Sequence, residues 1–305
     1  MNGAEKKPGA LKTRDVARRF DRAAANFDGA DFVHRQAATG LLERMAPMLV
    51  EVRQVVDLGA ATGNSSRALS RHFRGSRVLS VDLSMNMLRR ARKARSRFSR
   101  ISELRADALR LPLRDGSTDV VFANMLLPWV EITDLPVFLA EANRVLRKEG
   151  LLVFSTLGPD SLNEIRQAWA SVDADEHVNL FMDMHDIGDA VMKTGLREPV
   201  LDVDYLNVSY PGTGALFKDL TRAGARNSLG ARRKTLTGKS RFHAMERALQ
   251  QPSLQEPKPD PASSPHRPPL QLRLEIVYGH AWGSGLRKES GEVLFDVSSI
   301  GRRAR

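Results

Sequence analysis

No cysteine occurs in the 305 residues of this chain. Its absence excludes disulfides, thiolate metal sites and a cysteine nucleophile. Long apolar runs are missing too: nothing approaches the ~18 residues that a membrane-crossing helix requires. Asn2 to Arg19 is polar and charged and does not read as a secretory h-region. Its Lys and Arg residues suit an organelle address poorly, because Glu5 and Asp15 intervene and serine is scarce. The expectation is a cytoplasmic enzyme with no membrane partner. Aromatic residues are few, at 6%. The two most basic stretches, Arg89 to Arg100 and Thr221 to Arg241, each carry seven basic residues and no acid. Neither is interleaved with aromatics as a base-stacking surface would be, so no nucleic acid is expected. The net charge of +11 then points to solvated helix faces or to an acidic protein partner.

What is present is an ordered series of strand ends. Gln54-Val55-Val56-Asp57-Leu58-Gly59-Ala60-Ala61-Thr62-Gly63-Asn64 reads as an apolar strand, an acid, a turn and a glycine that opens a helix. Gly59 and Gly63 allow positive φ and close approach of a ligand to the main chain. Ala61 breaks a G-x-G-x-x-G, and an ordinary strand-to-helix turn would look similar. Asp82 ends a second apolar run, Val78 to Val81, nineteen residues beyond Gly63. An acid at that tip accepts hydrogen bonds from ribose hydroxyls, and Leu83 follows it without a cation for a 2′-phosphate. Asp107 and Ala108 follow a third short strand, where the acid can meet an adenine amino group. Asn124 ends a fourth, Asp119 to Ala123. The turn fits the D-x-G-x-[GA]-x-G of class I S-adenosylmethionine-dependent methyltransferases. That donor, leaving S-adenosylhomocysteine as product, is the expected cofactor.

The remaining pattern supports an α/β, doubly wound (Rossmann-like) class I methyltransferase sheet with an N-terminal helical lid and an α-helical insertion before the last strand. Residues 1–13 are expected to be disordered, and Arg14 to Phe27 and Phe32 to Leu49 to form lid helices. Ser84 is the expected cap of the helix after the second strand. Asp134 to Lys148 reads as a helix with Pro136 in its first turn and Gly150 just past its end. Leu151 to Thr156 is a buried strand, and helices follow at Ser161 to Ala170 and at Ile187 to Thr194. Val200 to Val208 is a further strand, and Leu270 to His280 the final antiparallel one. The methyltransferase domain then spans 14–285, with a substrate-recognition insertion at 211–250. The loop at 251–269, with seven prolines, is expected to be flexible, and 286–305 a tail.

Four further segments narrow the family. Arg19 to Phe27, Ala123 to Trp129, Phe154 to Leu162, and Gly224 to Arg233 with Leu236 to Gly238 resemble the malonyl-[acyl-carrier protein] O-methyltransferases (the BioC family) of biotin synthesis. A complex I assembly factor family shares much of this layout. Phe27 stands where many members have tyrosine, Ala60 and Ala61 where Cys-Gly or Gly-Pro is common, and Pro128 where Gln or His is common. The resemblance implies methyl transfer to the free carboxylate of malonyl-acyl carrier protein, or malonyl-CoA. A carboxylate is already a nucleophile, so positioning and water exclusion suffice and no catalytic acid–base residue is expected.

His34, His177, His185 and His280 are expected to be structural or surface residues. Asp183, His185 and Asp186 could imitate a metal site, but Asp186 reads as a helix cap and no metal is expected. Arg226, Arg232 and Arg233 are the candidate substrate contacts, for the malonyl carboxylate or for the phosphopantetheine and acidic surface of the carrier. The alternatives are a methyltransferase-like assembly factor, or a small-molecule or quinone methyltransferase on the same core. A nucleic-acid enzyme would need an N-P-P-Y-type loop, and Asn124-Met125-Leu126-Leu127 stands in its place.

Overall fold

The computed structural model describes residues 11–48, 51–227, 229, 237–250 and 269–285. Arg232, Arg233, the tail, residues 1–10 and nearly all of the proline-rich stretch lie outside that set. The chain begins with α1 (Thr13–Ala23) and α2 (Phe32–Met45). Alternation follows: β1 (Gln54–Leu58), α3 (Asn64–His72), β2 (Arg77–Asp82), α4 (Met85–Ala94), β3 (Ile101–Arg105), β4 (Thr118–Asn124), α5 (Leu135–Val145) and β5 (Leu146–Leu157). Then come α6 (Asn163–Ala170), α7 (Met184–Lys193), β6 (Arg197–Tyr210), α8 (Thr213–Arg222), α9 (Lys239–Leu249) and β7 (Leu270–Trp282).

The strands form one sheet in the order β3-β2-β1-β4-β5-β7-β6, with β7 antiparallel to both neighbours. The inner parallel strands bury apolar residues on both faces because helices cover both. Successive side chains alternate between the two layers. Val56, Val121, Ala123, Leu152 and Phe154 pack with Phe138, Leu139 and Ile187 of α5 and α7. Val55, Val120, Phe122, Leu151 and Val153 pack with Ala38, Leu41 and Leu69 of α2 and α3. A satellite core of Ile165, Trp169, Leu216, Met245, Leu249 and Leu272 holds α6, α8 and α9 against the start of β7. The strand order reverses between β1 and β4, where their carboxyl ends open a crevice.

Several local expectations are corrected. Helix α1 stops at Ala23, and Phe27 lies in a separate single turn, Phe27–Gly29, where it is buried. At its other end the backbone N–H of Leu11 already donates to Glu131. Helix α5 ends at Val145, not Lys148, because the chain passes directly into β5. Gly150 is thus no helix stop; its carbonyl accepts from Gly283 N–H at 2.7 Å. A Cβ there would lie 3.0 Å from the Arg147 carbonyl. Asp183, not Asp186, caps α7, accepting from His185 N–H at 2.7 Å, because Asp183 is extended while Asp186 is already in the first turn.

Gly279 of β7 pairs with Phe154 of β5, and a Cβ added there would lie 2.2 Å from the Phe154 ring. Phe154 is fully buried between sheet and helices and has no room to retreat. Gly279→Ala is expected to destabilise the protein by roughly 1–3 kcal/mol through overpacking, read as a fall in the midpoint of denaturant unfolding.

Candidate active site

The crevice floor is the turn after β1. Gly59 (φ 71°) and Gly63 (φ 78°) take left-handed conformations, and so does Ala61 (φ 45°), where a Cβ is tolerated at some strain. Gly59 and Ala60 both donate to the Val81 carbonyl, at 2.8 and 3.0 Å. Asp82, at the tip of β2, accepts from Ala61 N–H at 2.9 Å and from Ser84 N–H at 2.7 Å. Burial pushes its carboxyl up to about 6 against those two hydrogen bonds. Ser84 caps α4 as expected, its Oγ accepting from Met87 N–H.

Six of the eight expected cofactor residues line one cavity: Gly59, Asp82, Leu83, Asp107, Ala108 and Asn124. Gly63 and Asp57 stand behind its wall. Gly63 opens α3. Asp57 is fully buried, and its Oδ2 accepts from Ser66 of α3, whose hydroxyl also meets Ser80 of β2. Desolvation drives the Asp57 carboxyl up to about 7. Asn124 ties β4 to the lid, donating to the His34 carbonyl at 2.9 Å and accepting from Ser155 at 2.8 Å.

The lid contributes residues that the glycine-turn and strand-end motifs do not mark as cofactor contacts, among them His34, expected to be structural or on the surface. Val16, Ala17 and Phe20 of α1 line the cavity, with Phe27 and with His34 of α2. Phe20 meets Trp129 edge-on at 4.9 Å. Asp21 accepts from Ser84 Oγ at 2.6 Å and from Asn86 N–H at 3.0 Å, placing an anion at the N-terminus of α4. Asp28 accepts from Thr62, and Asp31 from Asn64, so the lid holds the glycine turn from above. These acids lie some thirty residues before their partners, and no local pattern in the sequence links them. Glu131 and Asp134 also line the crevice. In a chain of net charge +11 this one concavity is acidic.

The cradle suits a cationic nucleoside. Asp82 and Asp107 can accept from sugar hydroxyls and an amine, Leu83, Ala108 and Leu109 offer apolar faces to a base, and further acids suit positive charge. A Cβ on Gly59 would lie 3.1 Å from Leu126, so only glycine leaves this floor open.

A second cavity, predominantly apolar, abuts the first, and the two share His34, Met125 and Trp129. Its walls include Pro128, Leu157, Phe181, Leu216 and Leu272, with Asn179, Tyr210 and Asp219 as polar members, and among the described residues no Lys or Arg. Burial lowers His34 to about 4, so its ring is neutral at pH 7, and its Nδ1 has no partner among the described residues. Arg226 lies farther out, lining two more cavities towards the surface. Asp183, His185 and Asp186, which could imitate a metal site, do not converge, and Asp183 instead accepts from His185 N–H. Asp173, Asp175 and His177 do converge, but His177 is already bonded to Asp173 at 2.7 Å and stacked on Trp169.

The strand order and a crevice at the β1/β4 reversal define a methyltransferase of the doubly wound, S-adenosylmethionine-dependent class. Residues 56–154 match the family model described as "Methyltransferase domain". In the solved structure of the YcgJ protein from Bacillus subtilis the same fold recurs, with a TM-score of 0.57 and 14% identity over 81% of this chain and 98% of that one. The chain belongs to the malonyl-[acyl-carrier protein] O-methyltransferase family. It is 37% identical to the protein of that name from Halorhodospira halophila, over 97% of this chain and 98% of that protein. It is 38% identical to the one from Methylovorus sp., over 88% of each.

Asp82→Ala is expected to weaken S-adenosylmethionine binding by roughly 1–3 kcal/mol through lost hydrogen bonds, measured by calorimetry. With the carboxyl at about 6, wild-type affinity should fall about tenfold as pH drops from 7.5 to 5 and the group protonates. Asp82→Asn should flatten that dependence. For the free protein the sign reverses. Asp57 binds its proton more tightly folded than unfolded, so its stabilising contribution is full below about 4 and is lost as pH rises through about 7. Asp57→Asn should therefore raise thermal stability more at pH 8 than at pH 5.

Proposed function

We propose that this chain transfers the methyl group of S-adenosylmethionine to the free carboxylate of a malonyl thioester carried by acyl carrier protein, giving the methyl ester that opens biotin synthesis in the cytoplasm. The observation that carries this reading is the apolar cavity abutting the acidic crevice, lined by no lysine or arginine among the described residues. When bound, the sulfonium supplies both the methyl electrophile and a positive charge. Attack by a carboxylate oxygen forms one O–C bond, breaks one S–C bond and needs no proton transfer. Both formal charges disappear, and a dry, weakly polar pocket favours such a reaction over one in water.

The residues of the chain accordingly orient and exclude. Phe20, Phe27 and Trp129 close the crevice from the lid side, and Met125 and the neutral His34 form the boundary between the two cavities. A neutral His34 can hydrogen-bond an acyl oxygen without pairing so strongly that it dulls the nucleophile. Among the described residues no cation lines the inner cavity, which bears on Arg226; Arg232 and Arg233 lie outside that set. Arg226, at the outer cavities, is suited to the carrier's phosphate or acidic surface and not to the malonyl carboxylate. Phe32, Phe181 and Tyr210 would also tolerate a planar ring, which is the quinone alternative.

Purified protein, S-adenosylmethionine and either malonyl carrier protein or malonyl-CoA should yield the methyl ester by mass spectrometry, with a larger kcat/KM for the carrier-bound form. Absence of ester from both, with S-adenosylmethionine bound normally, would overturn the assignment.

A further inference from the structure

Two further cavities connect the acceptor cavity to the surface. The apolar cavity shares Leu162, Asn179, Phe181, Leu220 and Ala225 with the next one outward. That one in turn shares Arg19 and Arg226 with a surface groove between α1 and the end of α8. Five arginines line the groove, Arg18, Arg19, Arg22, Arg222 and Arg226, against one acid, Asp15. Arg18 and Arg22 are exposed, and no carboxylate lies within ion-pair distance of Arg18, Arg22 or Arg222 among the described residues. Arg18 and Arg22 stand one turn apart on α1, a like-charge spacing that weakens a helix slightly.

The two sides of the groove are tied together. Arg19 donates to the carbonyls of Arg226 at 2.6 Å and Asn227 at 2.8 Å, tying α1 to the segment after α8. Gly224 (φ 69°) brings that segment against α1, and a Cβ there would lie 3.2 Å from the Phe20 ring.

We propose that this groove docks the acidic face of the carrier protein. Its arginines meet the carrier's carboxylates and the phosphate at the root of the arm, and the arm threads past Arg19 and Arg226 into the apolar cavity. This rests on the acceptor assignment above. Charge complementarity carries the choice of occupant: a cationic rim leading through a passage of mixed lining into an apolar cavity fits a ligand with an anionic base and a neutral, flexible thread. A solvated arginine face would satisfy the charge but not its continuity with the path to the crevice. Attraction of this kind acts on encounter rate and falls with salt. Because Phe20 on the same helix lines the crevice, a partner on α1 also bears on the lid over the methyl donor.

The test is the double variant Arg18→Glu with Arg22→Glu, assayed with malonyl carrier protein and with malonyl-pantetheine, which has neither carrier nor phosphate. The expected result is a KM for malonyl carrier protein raised at least tenfold and less sensitive to salt. The kcat at saturation, the malonyl-pantetheine kinetics and the S-adenosylmethionine affinity should match wild type, and Arg18→Lys with Arg22→Lys should restore the KM. An unchanged KM for the carrier overturns the proposal, and so does an equal loss on both substrates, which would mark damage to α1. If wild type methylates neither substrate, the acceptor assignment fails first and the docking proposal with it.

Discussion

The half-buried carboxylate of Asp82 holds the active end of the sheet together. Its two oxygens take the N–H groups of Ala61 and Ser84, so one side chain joins the glycine turn after β1 to the start of α4. Those are also the two places where a nucleoside would lie against backbone. A carboxylate left half-desolvated in this way is costly unless hydrogen-bonded, which is why its ionisation is displaced towards neutrality. The site is thus organised before any ligand arrives, and the ligand needs only to find the remaining acceptor capacity.

Charge is divided between regions. The chain as a whole is strongly basic, yet the crevice gathers Asp82, Asp107, Glu131 and Asp134. Among the described residues no lysine or arginine lines the cavity beside it, and Arg18, Arg22, Arg222 and Arg226 stand farther out. A cationic donor and an anionic acceptor therefore find different surroundings along one path. If an arginine stood beside the acceptor carboxylate it would fix its orientation, but it would also stabilise the charge that transfer must remove.

The lid is bound into the same network. Asp21, Asp28 and Asp31 reach down to Ser84, Thr62 and Asn64, while Asn124 reaches up to the His34 carbonyl. The N-terminal helices are therefore part of the crevice wall. Arg19, on the opposite side of α1 from this network, ties the lid to the segment after α8. A disturbance at the outer groove and one at the cofactor turn meet in the same helix.

The sequence alone determined the central sheet and the identity of its working ends. Apolar runs ending in Asp82 and Asn124, and the spacing of Gly59 from Asp82, are local patterns whose periodicity follows directly from backbone geometry. Six of the residues they marked line one crevice. The sequence could not show that Asp57 turns inward to Ser66, because the face on which a strand-end acid lies depends on the helix packed against it. Nor could it reveal the pairing of Asp28 with Thr62, or the position of Arg226 at an outer cavity instead of beside the crevice. Those arrangements join residues far apart in the chain. Only closing the tertiary structure, with α1 drawn over the strand ends and the segment after α8 tied to it, decided which charges the ligands would meet.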